Sequence, residues 1–84
     1  MNGAQRKTLH AVFAEPVNGA LEWRRIESLL IASGCSVTEG SGSSVTVEKE
    51  GLRVRFDRPH PNKEALRYRV RDAREFLIAI GVVP

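Results

Sequence analysis

The sequence has few of the residues on which disulfide frameworks and multi-cysteine metal sites depend. It contains a single cysteine, Cys35, so no intramolecular disulfide can form. It also has no apolar run close to the roughly 18 residues that a membrane-spanning helix needs. Residues 1–16 have neither a long apolar core nor a small-residue cleavage site, so no secretory signal is predicted. We therefore expect a protein of the reducing cytoplasm.

What the sequence does contain is typical of one small globular domain. Its 84 residues are 42% hydrophobic and 27% charged, which is an ordinary balance for such a domain. A chain of this length has room for one core and buries only about 60–65% of the surface of its unfolded state. There is no internal repeat, and the one short polar stretch, residues 40–44, predicts a loop. The sequence thus predicts a single domain over residues 1–84.

The positive charge is concentrated in the second half of the chain. Residues 1–44 carry four basic and four acidic side chains, whereas residues 45–84 carry nine basic and six acidic ones. The net charge of +3 therefore lies entirely in the second half, mostly as arginine. The planar guanidinium group suits phosphate or carboxylate, so a nucleic-acid backbone and an acidic protein are equally suitable partners.

Two helices are predicted in the first half. The clearer one is indicated by apolar residues at helical spacing, namely Trp23, Ile26, Leu29 and Leu30. Gly34 follows, in the place where a glycine commonly ends a helix. Upstream, residues 7–13 predict a shorter helix, which ends before Pro16 because the residue preceding a proline avoids the helical region.

After Gly34 the apolar residues recur with a period of two, which indicates strands. A short first strand includes Cys35 and Val37. Residues 45–50 and 52–57 form a hairpin if Glu50-Gly51 is a two-residue turn. In that register apolar residues face apolar ones and polar residues face polar ones. The predicted pairs are Val45–Phe56, Thr46–Arg55, Val47–Val54 and Glu48–Arg53.

The last part of the chain predicts an extended segment followed by a helix. Two prolines within residues 58–63 exclude a helix there. A helical stripe follows, with Asp72 near its start, formed by Val70, Ala73, Phe76, Leu77 and Ile80. The fold class is therefore α+β. Residues 18–84 form an α-β-β-β-α core that resembles a double-stranded-RNA-binding domain, and residues 1–17 form an N-terminal helical extension.

Several segments follow one another in an order that is typical of one family. They are residues 7–9, 12–16, 21–23, 26–30, 42–45, 56–61 and 68–77. In this order they resemble the HicA toxins of HicAB toxin–antitoxin systems, in a subgroup with an N-terminal extension. The resemblance implies a domain that binds mRNA and cleaves it as a metal-independent endoribonuclease, which inhibits translation. It also implies a HicB-like antitoxin as partner.

The resemblance also indicates candidate catalytic residues. In family members a catalytic histidine follows a Gly-Ser pair at the start of the second strand, and here Ser44 follows Gly42-Ser43. A serine hydroxyl is too weak a base to replace histidine, but it can orient a phosphate or a water. His60 is then the candidate for proton transfer, because imidazoles titrate near neutrality. No metal-binding spacing is present, so no metal or other cofactor is expected.

A strip of arginines is the candidate RNA-binding surface: Arg53, Arg55, Arg58, Arg67, Arg69 and Arg71. Tyr68 is a candidate for stacking on a base, with a half-buried strand or loop position as the alternative. Two other functions are open. Because Ser44 replaces the family histidine, the chain can be a non-catalytic RNA-binding or adaptor module. Its basic face can also serve only to bind an acidic protein.

Overall fold

Three helices and a three-stranded antiparallel sheet make up the fold. The computed structural model describes residues 1–84. The elements are α1 (Gly3–Val12), α2 (Trp23–Ala32), β1 (Ser36–Glu39), β2 (Ser44–Lys49), β3 (Leu52–Asp57) and α3 (Arg67–Ala79). The strands lie in the order β1-β2-β3. The predicted α+β class is confirmed, as is the order of a helix, then an α-β-β-β-α core.

The first helix begins earlier than predicted, at Gly3, because a local cap starts it. The side chain of Asn2 accepts a hydrogen bond from the backbone N–H of Gln5 at 2.9 Å. In return the Gln5 amide oxygen accepts one from the N–H of Asn2 at 2.8 Å. This reciprocal capping box satisfies two backbone donors at the helix start. Since the first turn has no apolar periodicity, the sequence pattern indicated only residues 7–13.

The second helix has the predicted apolar face and the predicted end. Ile26, Leu29 and Leu30 are fully buried, and Trp23 is nearly so. Gly34 follows the helix with φ +93°, a conformation that costs residues with a Cβ atom and that glycine adopts freely. A glycine C′ position therefore ends α2.

The hairpin has the predicted register and the predicted turn. All four predicted residue pairs are present between β2 and β3. Glu50 and Gly51 both have positive φ, 53° and 83°, as a type I′ turn requires. Val45, Val47 and Phe56 are buried on the helix-facing side, so the alternate residues Thr46 and Arg55 lie on the outer face.

The third helix begins five residues before Asp72, which corrects its predicted start. Its first turns contain Tyr68, which therefore lies on a helix and not on a strand or in a loop. Arginine is a good helix former, but the apolar stripe begins only at Val70, so periodicity did not indicate the first turn. Leu66 precedes the helix with φ +71°, which ends the extended segment sharply.

One apolar core joins all the elements, and α1 contributes Leu9 and Val12 to it. The segments that precede α2 and α3 are also tied together through their backbones. The N–H of Trp23 donates to the Lys63 carbonyl at 3.0 Å, and the N–H of Ala65 donates to the Leu21 carbonyl at 2.8 Å. None of the helices has the length and apolar character that crossing a membrane requires.

Candidate nucleic-acid interface

Ser44 begins β2, at the end of the hairpin remote from the turn. It pairs with Asp57 across the sheet, and only 7% of its surface is exposed because the loop at Gly40 packs against it. Its hydroxyl accepts a hydrogen bond from Nε of Arg55 at 2.8 Å. The serine hydroxyl thus orients the Arg55 side chain at this end of the hairpin.

Arg53 and Arg55 project from the outer face of β3, as the hairpin pattern predicts. Arg53 forms an ion pair with Glu48 at 3.1 Å, in which the arginine side chain is 68% exposed and the glutamate side chain 38% exposed. Such exposed pairs contribute little to stability and exchange readily with other anions. Arg55 has only its Nε–H engaged, so its two terminal amino groups point at no acceptor within the protein. These groups are available to a phosphate.

His60 lies exposed in the segment that joins β3 to α3. This segment leaves the sheet beside β2, because the N–H of Arg58 donates to the Ser43 carbonyl at 2.9 Å. His60 follows two residues later, so it lies at the same end of the hairpin as Ser44. No hydrogen bond joins the His60 and Ser44 side chains, and the structure gives the imidazole no partner within the protein.

Arg58 is held by two carboxylates on the helix-facing side of the sheet. It donates from Nε and Nη2 to the two carboxylate oxygens of Glu27, at 3.0 and 2.9 Å, and from Nη1 to Glu39. Hydrogen bonds to Glu27, and then to Glu39, raise the pKa of Arg58, so its charge is fixed. A phosphate at Arg58 would have to displace these carboxylates. The geometry gives Arg58 the role of fastening residues 58–63 to α2 and β1.

The remaining arginines of the predicted strip lie on α3. Arg69 donates from Nε to the Asp57 carbonyl at 2.7 Å and from Nη1 to the Ala65 carbonyl at 3.2 Å. Arg67 and Arg71 are exposed and pair with no acidic side chain. The six arginines therefore do not line one strip. Two lie on the outer sheet face, one is held by carboxylates, and three lie at the start of α3.

Glu27 is a residue of this region that sequence reasoning missed. Its carboxylate accepts a hydrogen bond from Nε1 of Trp23 at 2.9 Å as well as the two from Arg58. The signal was present, since residues four apart on a helix share a face and Trp23 marks the buried one. The pKa of Glu27 is lowered, chiefly by the hydrogen bond from Arg58.

Cys35 and His10 lie away from the hairpin end. Cys35 is buried directly before β1, and burial raises the pKa of its thiol, which disfavours the reactive thiolate. His10 is exposed near the end of α1. No three side chains of the histidine, cysteine, aspartate and glutamate types form a group that could hold a metal ion.

Comparison with known families identifies the chain. A family model described as the HicA toxin of bacterial toxin–antitoxin systems matches residues 23–81, well over half of the sequence. The match includes α2, the whole sheet and α3, and leaves α1 outside. Searches of curated proteins and of solved structures gave no significant match. The chain therefore belongs to the HicA family of toxins from bacterial toxin–antitoxin systems.

Proposed function

We propose that this HicA family member is the toxin of a type II pair, that it binds and cleaves mRNA, and that a HicB-like antitoxin neutralises it. The observation that carries the proposal is the position of His60. It is an exposed histidine at the same end of the hairpin as Ser44. Ser44 occupies the position at which the family pattern has its catalytic histidine.

The proposed reaction is an attack by the RNA on its own backbone. A base takes the proton of the ribose 2′-hydroxyl, the 2′-oxygen bonds to phosphorus, and the bond from phosphorus to the 5′-oxygen breaks. The leaving oxygen then takes up a proton. His60 serves as the proton-transfer group, and the terminal amino groups of Arg55 stabilise charge on the phosphate. Ser44 acts by orienting Arg55 through its 2.8 Å hydrogen bond, not as a base.

RNA binding in this proposal depends on Arg55, Arg67 and Arg71, which form no ion pair, and on Arg53, whose only ion pair is the one with Glu48 at the sheet surface. Arg53 and Arg55 contact phosphates from the outer sheet face, and Arg67 and Arg71 contact them from α3. Arg58 supports the site by holding the segment that carries His60.

The test is cleavage of a labelled mRNA by the purified protein, after any co-purifying antitoxin has been removed. Loss of the His60 imidazole in His60→Ala should slow cleavage by about 10²- to 10⁴-fold, the usual contribution of a proton-transfer residue. His10→Ala is the matched control, because His10 is the other histidine of the chain and lies on α1. Intact RNA with the wild-type protein, or equal rates for His60→Ala, would contradict the proposal.

The second candidate function is RNA binding without cleavage, and Ser44 favours it. The Ser44 hydroxyl is buried, and its oxygen already accepts a hydrogen bond from Arg55. It is therefore poorly placed to transfer a proton to or from RNA. This function predicts that wild-type protein binds RNA, leaves it intact and does not arrest growth on expression. Growth arrest that His60→Ala abolishes would refute it.

A further inference from the structure

Tyr68 is an aromatic residue that the core does not hold and that the cleavage reaction does not use. It is the only tyrosine of the chain. It lies in the first turn of α3 with 54% of its surface exposed. A large exposed aromatic ring at a fixed place on a helix is a candidate for contact with a ligand.

One face of the Tyr68 ring is supported by Arg69. The Arg69 guanidinium carbon lies 4.7 Å from the ring centroid, within the range of a cation–π interaction. The guanidinium itself is held by two backbone carbonyls, those of Asp57 at 2.7 Å and Ala65 at 3.2 Å. Because Arg69 is fixed from two sides, the ring it supports has a preferred orientation before any ligand arrives.

Two further arginines flank the ring with their charges free. Arg67 and Arg71 lie one turn apart on α3, so their side chains leave the same side of the helix. Together with Tyr68 they line an open cavity that also includes Leu66 and residues 17–20. No acidic side chain lines this cavity. Its charge and its aromatic surface suit an anion attached to a flat ring.

The backbone beneath this surface is tightly fixed. Leu66, directly before α3, has φ +71°, and its N–H donates to the Gly19 carbonyl at 2.9 Å. A Cβ atom at Gly19 would lie 3.0 Å from the backbone nitrogen of Arg67, so only glycine fits there without a shift. Strained conformations of large residues persist where their surroundings determine them, and they are common at ligand sites.

We propose that Tyr68, with Arg69 behind it, is a stacking platform for one base of single-stranded RNA, and that Arg67 and Arg71 bind the phosphates beside that base. The proposal rests on the RNA-directed function proposed above and names a contact within it. Stacking selects no particular base, because every base has an aromatic face. It requires an unpaired base, which selects single strands.

The platform lies close to the end of the hairpin. The Asp57 carbonyl that holds Arg69 belongs to the residue paired with Ser44, three positions before His60. Arg69 therefore connects the Tyr68 ring to the residue that directly precedes the segment carrying His60.

The test is the affinity of a fluorescently labelled oligouridylate, measured by anisotropy in a His60→Ala background so that the RNA stays intact. Tyr68→Ala should weaken binding about 5- to 150-fold, whereas Tyr68→Phe, which keeps the ring, should bind like its parent. Ile78→Ala is the matched control, because Ile78 is a similarly exposed large residue on the same helix. An Arg67→Ala change should lower the salt slope by about 0.7, as expected for one phosphate contact to a single strand.

A spectroscopic measurement distinguishes stacking from a structural role. The ring protons of the single tyrosine should shift upfield in the NMR spectrum when oligouridylate binds. They should not shift with an abasic oligomer of the same length. An unchanged affinity in Tyr68→Ala, or no ring shift at saturation, would overturn the platform.

The outcomes separate this proposal from the proposed function. If RNA cleavage needs His60 and the Tyr68→Ala variant binds RNA as tightly as its parent, the proposed function stands and the platform is overturned. If Tyr68→Ala keeps its RNA affinity but no longer co-purifies with the protein encoded next to it, the surface is a protein interface and the platform is overturned. Failure of the wild-type protein to bind any RNA at low salt refutes both.

Discussion

The carboxylate of Glu27 links two parts of the molecule, α2 and the segment that follows β3. It accepts hydrogen bonds from Trp23 on its own helix and from Arg58 at the end of β3. Because these bonds favour the ionised carboxylate, they lower its pKa from the usual 4.5. A lowered pKa in the folded state means that ionised Glu27 stabilises the fold above pH 4.5, and that this contribution is lost as the pH falls through the lowered value.

We expect Glu27→Gln to lower the free energy of unfolding by about 1 kcal/mol at pH 7, since solvent partly screens the pair with Arg58. The difference from wild type should shrink progressively below pH 4.5, where the wild-type carboxylate becomes protonated. Urea unfolding of both proteins at a series of pH values measures this difference in the free energy of unfolding. Glu75→Gln serves as the control, because Glu75 is exposed and forms no ion pair. A difference that is independent of pH would show that the pair with Arg58 does not stabilise the fold.

For single residues, contacts within a local pattern can be predicted from the sequence, whereas contacts between distant positions cannot. The pairing of Thr46 with Arg55 follows from strand alternation, so it was predictable. The bond between Arg58 and Glu27 joins residues 31 positions apart, and no local period relates them. Arg58 looked free in the sequence for this reason, although two carboxylates hold it in the structure.

The hairpin is the element that local patterns define best. Its type I′ turn has positive φ at both central positions, which Gly51 adopts freely and Glu50 does not. The glutamate tolerates the left-handed conformation because the strand pairs on either side impose it. The turn therefore retains a small amount of strain at one residue.

Replacing that residue should stabilise the protein. Glu50→Asn should raise the free energy of unfolding by roughly 0.5–1 kcal/mol, because asparagine is the preferred first residue of this turn. Glu50→Gln is the control, since it removes the same charge but keeps a side chain that disfavours the left-handed region. Thermal unfolding of the three proteins compares them. Equal stabilities for the two variants would mean that charge, not backbone conformation, determines the effect.

At the level of the elements, the starts of two helices could not be predicted from the apolar pattern. The start of α1 depends on a capping box at Asn2, and the start of α3 depends on the backbone conformation of Leu66. Neither feature produces an apolar period, which was the signal for both helices. Helix interiors, strands and the turn followed from pattern, whereas these ends depend on single residues.

For the whole molecule, the main question is whether α1 belongs to the same cooperative unit as the family core. The family model begins at Trp23, after α1. Nevertheless Val12 of α1 is fully buried in the common core, and Arg74 of α3 donates to the carbonyls of Val12 and Ala14 at 2.9 and 3.0 Å. These contacts favour one domain over residues 1–84.

We expect Val12→Ala to destabilise the entire chain by about 2–3 kcal/mol, because two buried methyl groups are lost and a cavity remains. Denaturant unfolding followed by the fluorescence of Trp23 on α2 and by far-UV circular dichroism should show one shared transition for both proteins. His10→Ala, an exposed change on the same helix, should have little effect. A separate early transition in the dichroism alone would show that α1 unfolds independently of the core.

The segment that carries His60 is fastened at both of its ends. Arg58 is bound by carboxylates from α2 and β1, and the Lys63 carbonyl accepts the N–H of Trp23. Only four residues lie between these anchors, two of them prolines. His60 therefore lies on a short segment that is anchored at both ends, and it cannot move over a bound strand. In the proposed reaction the RNA would therefore have to move to the histidine, and the flexibility of the substrate, more than that of the protein, would decide which phosphates reach it.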